Sequence, residues 1–266
     1  MRGWILTMLL CCFALRPAFA DAPVPTARQW QVEGVARQAL ICIPAAATTT
    51  KMPVIFAFHG HGGNMRNAAN KFGYHRLWPE AIVVYMQGLP TPGQLTDPAG
   101  RLNGWQKTAG DQNDRDLKFF DAVLASLKKE YQVDPKRIFA TGHSNGGGFT
   151  FLLWAERGET FAAVAPASAV AGKSLPRLKP KPAIEVAGEN DPLVRYAWQQ
   201  QMMDAVRKRN GCDAVGKLWA KSGSLTGTLY PSKGGTPFVS LLYPGGHAFP
   251  DEAPALIVKF FKEQTG

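Results

Sequence analysis

Cysteine is scarce in this sequence, with four residues in 266, and two of them, Cys11 and Cys12, fall within the first twelve positions. A dense disulfide framework of the kind that staples small secreted domains is therefore excluded. Metal ligands are equally thin. Beyond residue 20 the only Cys or His pair with ligand-like spacing is His59 and His61, and no third ligand accompanies it, so no metal or other cofactor is expected. Charged residues make up 19% of the chain. They are dispersed, with no basic stripe interleaved with aromatics, so nucleic acid is not an expected partner in spite of a formal net charge of +10. Internal repeats and low-complexity linkers are missing as well, which argues against a solenoid or a tethered second domain.

Long hydrophobic runs are confined to the N-terminus. Arg2 is followed by an apolar stretch from Trp4 to Leu15, too short to span a bilayer as a helix. Ala18-Phe19-Ala20 then reads as a cleavage site, so residues 1–20 are expected to be a signal peptide. Cys11 and Cys12 lack the small preceding residues of a lipoprotein site, so no membrane anchor is expected. Cleavage would leave residues 21–266, enough for one domain with a substantial core, and a net charge of +8 because Arg2 and Arg16 are lost without any acid. The implied destination is the periplasm or the exterior, where Cys42 and Cys212, the two remaining thiols, could form a bridge.

What the chain does contain is an alternation of strand and helix signals. Gln29 to Val32 and Arg37 to Ile43 flank Glu33-Gly34 as an antiparallel hairpin. Continuous apolar runs at Pro53 to Phe58, Ala81 to Met86, Ile138 to Ala140, Phe161 to Pro166, Ala183 to Ala187 and Phe238 to Tyr243 read as strands buried on both faces. Helical patterns occupy Met65 to Lys71, Arg115 to Tyr131, the stretch from Phe149, Tyr196 to Arg209 and Ala253 to Glu263. Asp134-Pro135 reads as a turn. The expectation is a mostly parallel sheet with helices on both faces, in a single domain. Gly88 to Gln112 is a long irregular segment, of the kind that is usually functional in a compact domain.

The sharpest chemical signal is Gly142-His143-Ser144-Asn145-Gly146, set between a short apolar strand and a helix. That context is what a nucleophile elbow requires: glycines clear the turn, the serine is exposed, and the amide of Asn145 at the helix N-terminus faces the place where an oxyanion develops. A serine nucleophile needs a base and a carboxylate to orient it. On a parallel sheet these belong just past the carboxyl ends of strands. Gly188-Glu189-Asn190-Asp191-Pro192 and Pro244-Gly245-Gly246-His247 are so placed, and the order Ser144, Asp191, His247 is the one α/β-hydrolases use. Glu189 is the rival acid, and Asp191 is preferred for its shorter side chain deeper in the loop. His59-Gly60-His61-Gly62-Gly63 follows a central strand, where the second oxyanion amide originates. The His61 amide is the expected donor, Gly60 and Gly62 are expected to shape the loop beside the substrate, and His59 to brace it.

Together these motifs resemble the secreted polyhydroxybutyrate depolymerase, feruloyl esterase and acetylxylan esterase group of the α/β-hydrolase superfamily. The resemblance is carried by Phe58 to Gly63, Gly104 to Lys107, Gly142 to Gly147, Gly188 to Val194 and Pro244 to Pro250. It implies an exported serine esterase acting on small or polymeric carboxylic esters: short-acyl, feruloyl-type or polyhydroxyalkanoate-type. A peptidase or acyltransferase on the same fold, and a non-catalytic binding protein, are the competing readings. Many members of the group read His-Gly-Cys where this chain has His61, and often end the acid strand in His-Gly where this one has Ala187-Gly188. Trp105 has two possible places, plugging its loop into the core or lining the cleft. The resemblance favours the cleft, where its ring would bind an aromatic acyl group or a sugar.

Overall fold

The computed structural model describes residues 22–93 and 95–264. The expected signal peptide lies outside the described residues. The first two strands, β1 (Thr26–Val32) and β2 (Val35–Cys42), form the antiparallel hairpin around Glu33 and Gly34, both at positive φ. Then follow β3 (Met52–Phe58), helix α1 (Met65–Phe72), the short α2 (Tyr74–Leu77) and β4 (Ile82–Met86). Two-residue strands β5 (Leu89–Pro90) and β6 (Asn103–Gly104) pair with each other and close the base of the long loop. The chain continues through α3 (Arg115–Glu130), β7 (Val133–His143), α4 (Asn145–Arg157), β8 (Ala163–Ala167), β9 (Ala183–Gly188) and α5 (Tyr196–Arg209). It ends with β10 (Lys217–Ser222), β11 (Leu225–Tyr230), β12 (Phe238–Tyr243) and α6 (Ala253–Glu263).

Ten of these strands form one sheet in the order β1-β2-β4-β3-β7-β8-β9-β12-β11-β10. The six from β4 to β12 run parallel, and an antiparallel hairpin borders them on each side. This is the mostly parallel α/β-hydrolase architecture with an antiparallel N-terminal hairpin. Continuous apolar strands make it possible, because successive side chains serve opposite faces. In β3, Val54, Phe56 and Phe58 join a core with α3, α4 and α5, whereas Ile55 and Ala57 join a core with α1, α2 and α6. Phe56 meets Phe120 of α3 edge-on at 4.8 Å, and Phe139 stacks on Phe261 of α6 at 4.5 Å across the opposite face.

Three features depart from the sequence expectation. β7 begins at Val133, upstream of Asp134-Pro135, and absorbs that pair through a register shift against β3 between Met52 and Val54. β8 starts two residues later than its apolar run. The β10–β11 hairpin is not announced by periodicity, because its strands are half exposed at the sheet edge and show no clean alternation.

The expected Cys42–Cys212 bridge is also corrected: both cysteines are free. Cys42 ends β2, while Cys212 follows α5 and bridges to Ser232 between β11 and β12. Six strand steps from β2 to β12 at about 4.8 Å each set the two on the order of 30 Å apart. A disulfide requires α-carbons within about 7 Å.

Candidate active site

Ser144 sits between β7 and α4 with φ 56° and ψ −121°, a conformation that costs a non-glycine residue on the order of 1–3 kcal/mol. Its neighbours explain how the turn is held. A β-carbon on Gly142 would come 2.4 Å from the Gly146 carbonyl oxygen, and one on Gly146 would come 2.3 Å from that of Phe58. The Ser144 amide donates to Ala167 of β8 at 2.8 Å. The two glycines are thus required by close packing of the elbow onto the flanking strands.

The loops after β9 and β12 abut. Glu189 N–H donates to Tyr243 at 2.9 Å and Asn190 N–H to Gly245 at 3.0 Å, and Gly188 admits the Gly245–Gly246 backbone where any side chain would collide. This contact brings Asp191 and His247 together. His247 Nδ1 lies 2.8 Å from Asp191 Oδ2, and its Nε2 lies 2.7 Å from Ser144 Oγ. A carboxylate only accepts, so Nδ1–H donates to Asp191 and the Nε2 lone pair faces the serine hydroxyl. Asp191 is buried, and its Oδ1 accepts the amides of Leu193 at 2.9 Å and Val194 at 3.0 Å. Its Oδ2 also accepts from Gln199 Nε2 of α5 at 3.1 Å. Glu189 is exposed and takes no part in this chain of bonds.

His59 braces the oxyanion-side loop through both ring nitrogens: Nδ1–H donates to the Gly60 carbonyl at 2.7 Å, and Nε2 accepts the Gly88 amide at 3.0 Å. Burial pushes its pKa down to about 4, so the ring is neutral in this role. The Gly62 amide is bound to Asn103 at 2.7 Å and that of Gly63 to Gly60 at 3.0 Å. His61 Nε2 lies 3.1 Å from Asp97 Oδ2, an oxygen that also accepts the Leu102 amide at 2.9 Å. The Leu102 amide, with His61, holds the Asp97 carboxyl below the usual carboxylate range. His143, next to the serine, packs its ring 5.1 Å from that of His247. Burial, reinforced by repulsion from a charged His247, pushes His143 down to about 3.

Ser144, Asn145, His247 and His61 share a cavity of about 170 Å³, walled by Leu95, Ala169, Val170, Leu193 and Val194, with Thr96 and Lys107 also at its lining. Neither Gly60 nor Gly62 lines it. Gly60 lies against His143 and Ser144, and Gly62, at φ 76°, turns the loop beneath Leu102.

Trp105 requires correction. It is fully buried, its indole N–H donates to the His59 carbonyl at 2.9 Å, and its ring stacks on Phe149 at 5.2 Å with Phe58 edge-on. No face is left for a substrate: this tryptophan plugs the loop into the core. Two residues of the site escaped sequence reading: Gln199 lies on the buried face of a helix eight residues past Asp191, and Asp97 sits in an irregular loop, so neither belongs to a local pattern. Asn145 was expected for its backbone amide, and what the sequence did not show is that its side chain binds the Trp105 backbone.

Residues 103–175, which contain Ser144, match the model of the prolyl oligopeptidase family. A probable feruloyl esterase C from Aspergillus clavatus is 30% identical over 210 residues, 76% of this chain and 70% of the relative. The chain belongs to the feruloyl esterases. Feruloyl esterase C of Emericella nidulans is 28% identical over 96% of the chain and 93% of its own length. Among solved structures, the acetyl xylan esterase from Aspergillus awamori superposes with a TM-score of 0.68 over 89% of this chain and 99% of that one, at 14% identity, which shows the common fold. The chain is a serine carboxylic ester hydrolase.

Proposed function

We propose that Ser144 is the nucleophile of an exported esterase, with His247 as its base and Asp191 holding the base in place. The observation that carries this is the unbroken run from Ser144 Oγ through His247 to Asp191, at 2.7 and 2.8 Å. His247 Nε2 takes the serine proton as Oγ attacks the ester carbonyl, and the tetrahedral oxyanion is held by the backbone N–H groups of His61 and Asn145. Collapse expels the alcohol, which receives the proton from His247, and leaves an acyl group on Ser144. Water then attacks with His247 again as base and releases the acid.

The substrate reading is a short-acyl or hydroxycinnamoyl ester, small or carried on a polymer. Its support is the mostly apolar cavity of about 170 Å³, since an apolar cavity of about 150 Å³ accommodates a benzene ring, together with the names of the relatives. Export rests on the signal-like residues 1–20. Among the described residues no helix is long and apolar enough to cross a membrane.

The test is hydrolysis of methyl ferulate, 4-nitrophenyl acetate and a matched 4-nitroanilide by residues 21–266 and by a Ser144→Ala variant. Ester cleavage that falls by several orders of magnitude in the variant, with its fold unchanged, is the expected result. A variant with near-normal turnover would remove Ser144 from the mechanism. Faster cleavage of the anilide than of the esters would favour the peptidase reading.

A further inference from the structure

Residues 105–107 change character within three positions. Trp105 is locked in the core. Gln106 is buried too, and every polar atom of its side chain is engaged: Nε2 donates to Thr108 at 3.0 Å and Asp114 at 2.8 Å, while Oε1 accepts the amides of Asp116 at 3.0 Å and Leu117 at 3.2 Å. Its own amide donates to Asp116 Oδ2 at 2.8 Å, and Asp116 is in turn paired with buried Arg37 at 2.7 Å. The backbone that delivers residue 107 is therefore tied to β2, α3 and the core at once.

Lys107 follows directly and lines the cavity that holds Ser144 and His247. It is half-buried, and among the described residues its ammonium makes no hydrogen bond or ion pair with a protein acceptor. The acid that acts on it most, Asp111, has its Oδ2 engaged by the Thr108 amide at 2.9 Å. Burial lowers the Lys107 pKa from its ordinary value, with Asp111 working against that change. The same cavity is walled by Leu95, Ala169, Val170, Leu193 and Val194. An ammonium partly screened from water by such walls attracts an anion more strongly than one on an open surface. The protein places this cation on an anchored backbone, and among the described residues no acceptor lies within hydrogen-bond or ion-pair distance of it, Asp111 acting only from farther away.

We propose that Lys107 is a specificity-determining residue, and that the enzyme selects esters carrying a carboxylate in the part of the substrate that fills the serine cavity. This rests on Ser144 being the nucleophile of that cavity. Trp105 contributes to recognition as the buried post that fixes the position of Lys107. The carboxylate can belong to the acid half of the ester, as in a dicarboxylic half-ester, or to the alcohol half, as in a uronate or hydroxybenzoate alcohol. A charged hydrogen bond of this kind corresponds to about a tenfold preference or more.

Two matched pairs test it. For the acid half, 4-nitrophenyl butyrate is compared with 4-nitrophenyl monosuccinate; for the alcohol half, phenyl acetate is compared with 4-acetoxybenzoate. The quantity read is the ratio of kcat/KM for the anionic to the neutral member, in the wild-type protein and in Lys107→Met and Lys107→Arg. The expected result is that one ratio favours the anion in the wild type, falls about tenfold in Lys107→Met and survives in Lys107→Arg; the pair affected identifies which half bears the carboxylate. Ratios unchanged by Lys107→Met in both pairs would overturn the proposal. A measurement independent of any variant is competition: benzoate should inhibit hydrolysis of 4-nitrophenyl butyrate, and benzamide at the same concentration should not. Equal inhibition by the two would also overturn it. Loss of hydrolysis of neutral and anionic esters alike in the wild type would instead strike at the esterase assignment of Ser144.

Discussion

The side chain of Asn145 clasps the backbone of Trp105: its Oδ1 accepts the Trp105 amide at 2.6 Å and its Nδ2 donates to the Trp105 carbonyl at 3.1 Å. The residue after Ser144, the proposed nucleophile, thus does two jobs on separate atoms. Its backbone belongs to the elbow, and its side chain fixes the long loop that walls the cavity.

Asn145→Ala keeps the elbow amide and removes the clasp. It leaves a buried N–H and C=O of Trp105 without partners, at a cost of about 1–3 kcal/mol. The expected outcome is a lowered melting temperature and a larger rise in KM than fall in kcat for ester hydrolysis, because the wall moves while the Ser144–His247 pair stays. Unchanged stability and unchanged KM would show that the clasp is dispensable.

Asp191→Asn keeps the size of the orienting side chain but offers an amide where His247 Nδ1–H needs an acceptor. The imidazole is then free to adopt the tautomer that points a proton at Ser144. By comparison with other Ser-His-Asp sites, kcat should fall by about 10⁴. Gln199→Leu removes one of the donors to Asp191 Oδ2 and should give a much smaller loss, of about tenfold in kcat, as expected for one hydrogen bond to a charged group. Equal losses in the two variants would mean that Asp191 acts mainly by holding the loop.

The tight turn at Ser144, the strand ends at which Asp191 and His247 meet it, and the parallel sheet were legible because each depends on local rules. Strand, tight turn and helix must be adjacent in sequence, and Gly142 and Gly146 are there because backbone passes where a side chain would be. Trp105 was not legible. A glycine-rich polar loop gives no sign of which way its one large ring turns, and the decision is made by Phe58 and Phe149 from distant strands and helices. Cys42 and Cys212 show the same limit: pairing by elimination ignores the sheet between them. The β10–β11 hairpin was silent because half-exposed edge strands need no periodic apolar face.

Buried histidines set the acid limit of stability. The pKa of His59 is depressed to about 4 and that of His143 to about 3, both chiefly by burial, from 6.5 when unfolded. Below pH 6.5 the unfolded chain binds protons that the folded one excludes, so stability present above pH 6.5 is lost as pH falls toward these values. Urea midpoints should therefore begin to drop near pH 6.5, before carboxylates titrate. His143→Phe should flatten part of that slope; a profile level down to pH 4.5 would contradict it.

Glu185 sets a limit from the other direction. It lies in the middle of β9, opposite Ser240 of β12, with its side chain on the face that carries Ala183 and Ala187 into the α4–α5 core. It is buried, and among the described residues its Oε1 has no hydrogen-bond partner. Burial raises its pKa well above the ordinary 4.5, so the folded protein holds Glu185 protonated where the unfolded chain has released the proton. Between pH 4.5 and the raised folded value, folding takes up a proton, and stability falls with pH by about 1.4 kcal/mol per unit from this group alone. Glu185→Met substitutes an unbranched apolar side chain of similar length and removes that penalty together with the unsatisfied oxygen. The variant should unfold at higher urea concentration than the wild type at pH 8, and the gap should narrow steadily as the pH is lowered toward 4.5. A difference that stays constant across that range would show that Glu185 has found a partner for its charge, and a Met variant less stable at every pH would show that the carboxyl group is bound by its surroundings rather than tolerated by them.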